Sequence, residues 1–115
     1  MIKISADLVE YPNRYVFMVD MPGMKASEIN LRVEDENIMV VTGERKREQR
    51  QQDDGVKYLR TERMVGKFLR IFSIPDNGNK DRISALCKDG VLSVTIEKLP
   101  PREWKEGKTI EVKSA

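Results

Sequence analysis

Ile83-Ser84-Ala85-Leu86-Cys87-Lys88-Asp89-Gly90-Val91-Leu92-Ser93-Val94-Thr95-Ile96-Glu97 is the stretch that decides the fold. Two strand-length apolar runs, Ile83 to Cys87 and Val91 to Glu97, flank Asp89-Gly90. That dipeptide is a strong hairpin signal, because φ > 0 costs glycine nothing. Upstream the same period of two returns. Tyr15, Phe17, Val19 and Met21 share a face; Ile29, Leu31 and Val33 alternate with Asn30, Arg32 and Glu34; Ile38, Val40 and Thr42 alternate with Met39 and Val41. Phe68 to Ile74 repeats the pattern, while Pro22-Gly23 and Pro75-Asp76-Asn77-Gly78 punctuate the chain. Short strands at this spacing, with no helical period of useful length, predict an antiparallel β-sandwich. The runs 15–19 and 38–41 are apolar on both faces and are expected to lie centrally or under an interface.

The chain has 115 residues, 39% hydrophobic and 35% charged, which suits one compact domain with a modest core. A formal charge of +2 offers no strong field for nucleic acid or an anionic membrane. A single cysteine, Cys87, excludes an intramolecular disulfide, and no basic stretch followed by an apolar core opens the chain. The compartment read from this is reducing and cytoplasmic. No apolar run approaches the roughly 20 residues of a membrane helix. Histidine is absent. That removes the imidazole base, the Ser-His and Cys-His pairs and, with one cysteine, an ordinary zinc site. The chain is therefore read as a non-enzyme, with no catalytic residue, cofactor or metal assigned.

Between Glu44 and Lys67 the pattern breaks. Residues 45 to 54 carry no apolar side chain, yet Val56, Tyr58 and Leu59 follow at strand-like density. The simplest reading is a long insertion bearing a small strand, placed to reach a partner; a flexible hairpin tip is the alternative. The Glu44-Arg45-Lys46-Arg47-Glu48 cluster is read as a solvated loop, since acids interleave its bases and aromatic neighbours are lacking, so an RNA-binding β-domain resting on residues 45 to 50 is the weaker reading. Gly107-Lys108-Thr109 imitates a phosphate loop, but Arg102 stands where the earlier glycine belongs. Asp76-Asn77-Gly78-Asn79-Lys80-Asp81 lacks two calcium-ligand positions and is turn chemistry. Cys87 is read as a small core residue, and Met18, Met21, Met24, Met39 and Met64 as core and rim filler.

Arg70 stands out. It shares a face with Phe68 and Phe72, where an unpaired guanidinium would be costly, so a carboxylate partner on a second subunit is expected. Snorkelling at a sheet edge is the alternative. At the other end, Leu99-Pro100-Pro101 opens a polar spacer that runs to Lys108 and closes on Thr109-Ile110-Glu111-Val112-Lys113. In an extended segment Ile110 and Val112 point the same way, making a two-pronged apolar plug on a tether. One more edge strand of the same domain is an equally open reading of that spacing.

Together these segments resemble the α-crystallin domain of small heat-shock proteins. Ala85-Leu86-Cys87-Lys88-Asp89-Gly90-Val91-Leu92 is similar to the family's A-x-x-x-x-G-V-L signature, Phe68 to Pro75 to the strand carrying its arginine, and Ile110-Glu111-Val112 to its C-terminal I-x-I/V anchor. Tyr11-Pro12-Asn13, Asp20-Met21-Pro22-Gly23, Gly43 to Glu48 and Leu99-Pro100-Pro101 look most like the plant cytosolic class II branch. The match runs from about Ala6 to Lys113. It implies an immunoglobulin-like sandwich that dimerises, answers stress, binds non-native client proteins without ATP and assembles homo-oligomers through anchors in grooves. Carried over, Arg70 matches the strand arginine, Val56, Lys57, Tyr58, Leu59 and Arg60 the strand exchanged between subunits, and Ile110 and Val112 the anchor. Ile29, Leu31, Val33, Ile83, Ala85 and Cys87 are the candidate groove. The implied organisation is an N-terminal remnant at 1–5, the domain at 6–99 with an extended loop at 45–66, and a C-terminal extension at 100–115. Only Met1 to Ser5 precede the domain where the family carries a long arm, so dimers with weaker higher oligomers are expected. A module of the same fold docking one dedicated partner, as a co-chaperone would, is the rival. Neither nucleic acid nor membrane is an expected partner.

Overall fold

Strands carry almost all of the regular structure in the computed structural model, which describes residues 3–46, 55–101 and 109–115. Residues 47 to 54, most of the charged run, and 102 to 108, the tether, lie outside the described residues, as do Met1 and Ile2. In chain order the strands are β1 (Ala6–Glu10), β2 (Arg14–Asp20), β3 (Ile29–Glu34), β4 (Ile38–Arg45), β5 (Gly66–Ser73), β6 (Gly78–Lys88) and β7 (Val91–Lys98). They form a four-stranded sheet, β1-β2-β7-β6, and a three-stranded sheet, β3-β4-β5, antiparallel throughout.

Alternation explains the core. Tyr15, Phe17 and Val19 on β2 and Leu92, Val94 and Ile96 on β7 are buried and meet Met39, Val41 and Phe68 from the other sheet. Phe17 and Phe72 touch between the sheets, with ring centroids 4.9 Å apart and planes at 50°, a tilted contact that aromatic quadrupoles favour. The two doubly apolar runs take the inner places, β2 between β1 and β7 and β4 between β3 and β5. Met21, Met24 and Met39 are core, whereas Met18 and Met64 stay exposed.

Turn chemistry closes the ladder. Asp89 (φ 52°) and Gly90 (φ 77°) make the β6–β7 hairpin on left-handed backbone. Asn79 Oδ1 accepts from the Asp81 amide at 3.0 Å, an Asx turn in the segment that only imitates a calcium loop. Gly43 has a different reason to be glycine: a Cβ there would lie 2.5 Å from the Phe68 ring and 2.7 Å from the Glu28 carbonyl oxygen.

The pattern and the structure part in three places. β1 was not predicted; its residues Ala-Asp-Leu-Val-Glu show no clean alternation, and the strand exists because β2 presents a ladder. β6 begins at Gly78, inside the stretch read as a turn, with an irregularity before Ile83. Val56 to Arg60 form no strand within the chain. A strand needs a neighbour to complete its hydrogen bonds, and this segment has none on its own sheets.

Candidate assembly surfaces

Stacking order determines which apolar residues stay open. Arg70 of β5 donates a hydrogen bond to the carbonyl of Ile4, just before β1, and Phe72 of β5 meets Phe17 of β2. β5 therefore lies beneath the β1–β2 side of the larger sheet. That puts β3, at the far edge of the smaller sheet, beneath the β7–β6 side.

Register then assigns the faces along this seam. Ile29, Leu31 and Val33 pair with Gly43, Val41 and Met39, and Ile83, Ala85 and Cys87 pair with Ile96, Val94 and Leu92. Since Val41, Met39, Ile96, Val94 and Leu92 are buried, all six groove candidates point inward. Yet the seam is not closed over them. Ile29, Leu31, Ile83 and Cys87 are only partly covered by the core, and Val33 and Ala85 are exposed. Both bordering strands are sheet edges. Inward apolar side chains between two unpaired edges make an elongated apolar slot with backbone donors and acceptors along its rims.

The tail matches that chemistry. Ile110 is 78% and Val112 92% exposed, and residues 109–115 form no strand with either sheet. Within one chain the plug is unused, and the edge-strand reading has no counterpart among the described residues. Lys98, at the end of β7, fixes where the tail departs. Its ammonium lies 2.7 Å from Glu10 Oε2 and 4.9 Å from the Tyr15 ring centroid, while the Tyr15 hydroxyl donates to Asn77 Oδ1 at 2.8 Å. The Lys98 amide donates to the Asn13 carbonyl and the Leu99 amide to the Asn77 carbonyl. Glu10's carboxyl is held below its ordinary pKa, first by the hydrogen bond from Lys98 and then by its charge. Sequence reading missed this clamp, whose members are 88 residues apart and carry no local signal.

Arg70 sits where period-two counting places it, half-buried beside Phe68 and Phe72, its guanidinium carbon 4.9 Å from the Phe72 ring centroid. Among the described residues of one chain it bonds the Ile4 carbonyl and pairs with no acid; the carboxylate expected from the sequence was placed on a second subunit. That main-chain carbonyl relieves part of the cost of burying the guanidinium within one chain. The connection before β5 is apolar and open. Val56 and Tyr58 are more than half exposed and Leu59 is 96% exposed, beside the exposed Arg60.

This geometry has relatives. Residues 7–113 match the Hsp20/alpha crystallin family. The whole chain aligns at 56% identity with 73% of the 17.3 kDa class II heat shock protein of Solanum peruvianum, and at 57% with 69% of the 18.8 kDa class II heat shock protein of Ipomoea nil. Among solved structures, a small heat-shock protein from Xylella fastidiosa, whose crystal structure is described as a distinct high order structure, superposes with a TM-score of 0.74 at 33% identity, covering 97% of each chain. Heat shock protein 16.0 from Schizosaccharomyces pombe gives 0.78 at 26% identity, over 98% of this chain and 100% of its own.

Proposed function

The chain belongs to the Hsp20/alpha crystallin family of small heat-shock proteins, a family with a chaperone role, and on that premise we propose that it is an ATP-independent holdase that binds non-native proteins and limits their aggregation. The observation that carries the reading is the pairing of two unsatisfied apolar features in one chain: the open slot between β3 and β6, and the exposed Ile110-Glu111-Val112 plug. A plug from a second copy fits the slot by apolar contact and by backbone pairing at its rims. Two aliphatic side chains contribute on the order of 3 to 6 kcal/mol gross, and ordering the tail offsets much of it, so each contact exchanges readily. Several together hold an assembly through avidity. When plugs leave, the same slot accepts extended apolar segments of unfolding proteins and withdraws them from aggregation.

Val56 to Arg60 extend the scheme. They lack a ladder in their own chain and offer main chain and two apolar side chains, Tyr58 and Leu59, to an open sheet edge of a second copy. Arg70 and this segment thus belong to a homodimer, and Ile110 with Val112 to weaker higher oligomers. The compartment proposed is the cytoplasm.

Light scattering of three unrelated thermolabile proteins, heated with and without this chain and without ATP, tests the proposal. Suppressed scattering for all three is expected. Failure on all three, with selective capture of one folded protein instead, would overturn it in favour of a dedicated docking module.

A further inference from the structure

We propose that Asn77 is a site of spontaneous deamidation, and that the hydrogen bonds at the root of the tail gate its reaction. Asn77-Gly78 is the one Asn-Gly pair in the sequence. Glycine carries no Cβ, so nothing shields its amide nitrogen from the carboxamide carbon of the residue before it. The fold needs both residues for other reasons. A Cβ at Gly78 would lie 3.0 Å from Ile74 Cγ2 and 3.1 Å from both Ile96 Cγ2 and the Pro75 carbonyl oxygen. Asn77 supplies the Oδ1 that accepts from the Tyr15 hydroxyl at 2.8 Å. Packing and hydrogen bonding thus place a reactive pair at the start of β6.

Water is the only co-reactant. Once the Gly78 amide has given up its proton, its nitrogen attacks Cγ of Asn77, the bond from Cγ to the side-chain nitrogen breaks, and ammonia leaves with a proton, closing a cyclic imide. Water then opens the imide at either carbonyl. Cleavage between the Gly78 nitrogen and Cγ leaves aspartate; cleavage between that nitrogen and the main-chain carbonyl carbon leaves isoaspartate, with the chain continued through the side chain. Nothing is oxidised or reduced.

In the closed turn this attack is blocked. Gly78 is buried, and its N–H donates to the Pro75 carbonyl at 2.8 Å. The Asn77 carbonyl accepts from the Leu99 amide at 2.7 Å, which fixes the peptide plane that must turn to carry the nitrogen onto Cγ. Opening these bonds does not require melting the sandwich. Gly78 pairs with Lys98, but an irregular stretch follows before the ladder resumes with Ile83 opposite Ile96. The turn is therefore set apart from the rest of β6, and a local opening costs less than global unfolding. Isoaspartate inserts a methylene into the main chain and makes the former acceptor of Leu99 a free carboxylate, so the product does not rebuild the turn. The root of the tail is left released. This inference stands on the single chain's geometry and is independent of the holdase reading.

The test maps residue 77 of the full chain by mass spectrometry during incubation at mildly alkaline pH, in buffer below the melting transition and in urea above the unfolding midpoint. Conversion to aspartate and isoaspartate is expected in urea, and to be slower by about a hundredfold in buffer, where three net hydrogen bonds must open first. Tyr15→Phe keeps the ring and removes one of the three, so the buffer rate should rise about fivefold while the urea rate stays the same. Val41→Ala weakens the whole sandwich from the other sheet, where Val41 is fully buried, and should leave the buffer rate unchanged. In the isolated isoaspartyl product the Leu99 amide should lose its protection from hydrogen exchange. No conversion in urea would overturn the site. Equal rates in buffer and urea, no acceleration in Tyr15→Phe, or acceleration in Val41→Ala in step with its lost stability would overturn the local gate, and full protection of Leu99 in the product would overturn the release of the tail.

Discussion

The middle of the sandwich and its seams obey different rules although they are built from the same alternating strands. On β2, β4 and β7 every inward apolar side chain from Phe17 to Ile96 is sealed, because each strand has neighbours on both sides and a sheet opposite. On β3 and β6 the inward residues have the same character, yet Val33 and Ala85 remain open and Ile29, Leu31, Ile83 and Cys87 are half covered. The difference teaches that alternation says which way a residue points, whereas strand order says whether anything covers it. Burial is therefore concentrated in the middle, and the rims are left open.

The sharpest way to break that contrast is to damage the middle. Ile96 is fully buried at the centre of β7. Ile96→Ala should cost about 2 to 5 kcal/mol through lost burial and the cavity left behind, read as a lowered midpoint in urea unfolding. Leu31→Ala on the seam should cost far less, and equal losses at the two sites would show that the slot is as tightly packed as the core. Arg70 stands between the regions. Removing it in Arg70→Ala takes away a charged donor to the Ile4 carbonyl and the contact with the Phe72 ring, at about 1.5 to 3 kcal/mol. If thermal melting of the variant is unchanged, the Ile4 bond and the ring contact contribute no net stability; if melting falls while dimer mass holds, its role lies within the chain.

What the sequence made legible follows the same division. Period-two counting located the buried face of β2 and the strands β3, β4, β5 and β7, and Asp89-Gly90 located a hairpin, because these depend on neighbours within a few residues. The resemblance, not the counting, offered Ile29, Leu31, Val33, Ile83, Ala85 and Cys87 as a groove; which way they face depends on strand register, and how open they are depends on β5 lying under β1 and β2. β1 was missed since an edge strand with Leu8 half exposed has little to alternate against. Arg70's bond to Ile4 was missed because a carbonyl 66 residues away leaves no trace in local pattern. The Ile110-Glu111-Val112 spacing fitted a plug and an edge strand alike, since both are extended.

A gentler test leaves the domain alone. Ile110→Ser with Val112→Ser removes the plug while touching nothing else, so domain stability should change by less than about 0.5 kcal/mol. Oligomers above the dimer should disappear in sedimentation while the dimer survives. Leu31→Ser with Ile83→Ser, altering the slot instead, should reproduce that loss of higher species. Retention of them in either double variant would separate plug from slot and undo the pairing on which the proposed assembly rests.

The smallest effect concerns the clamp at the root of the tail, and it titrates. Glu10's carboxyl is depressed by its hydrogen bond from Lys98, so the folded state holds the ionised form more tightly than the unfolded chain does. The unfolded chain consequently binds more protons across the interval between the two pKa values. The stabilisation is present above the ordinary carboxylate pKa and is lost as pH falls through the lower folded value. Glu10 is fully exposed, so the effect is small and screened by salt. Glu10→Gln should lower the melting temperature slightly at neutral pH and low salt. The gap to the parent should close as the pH is taken below the carboxylate range, and also at high salt. Lys98 is more buried than its partner and would then lose its only charged contact among the described residues, leaving it to the Tyr15 ring. If the gap persists unchanged at acid pH, Glu10 acts by packing, and the root of the tail is held by the backbone bonds at Asn13 and Asn77 alone.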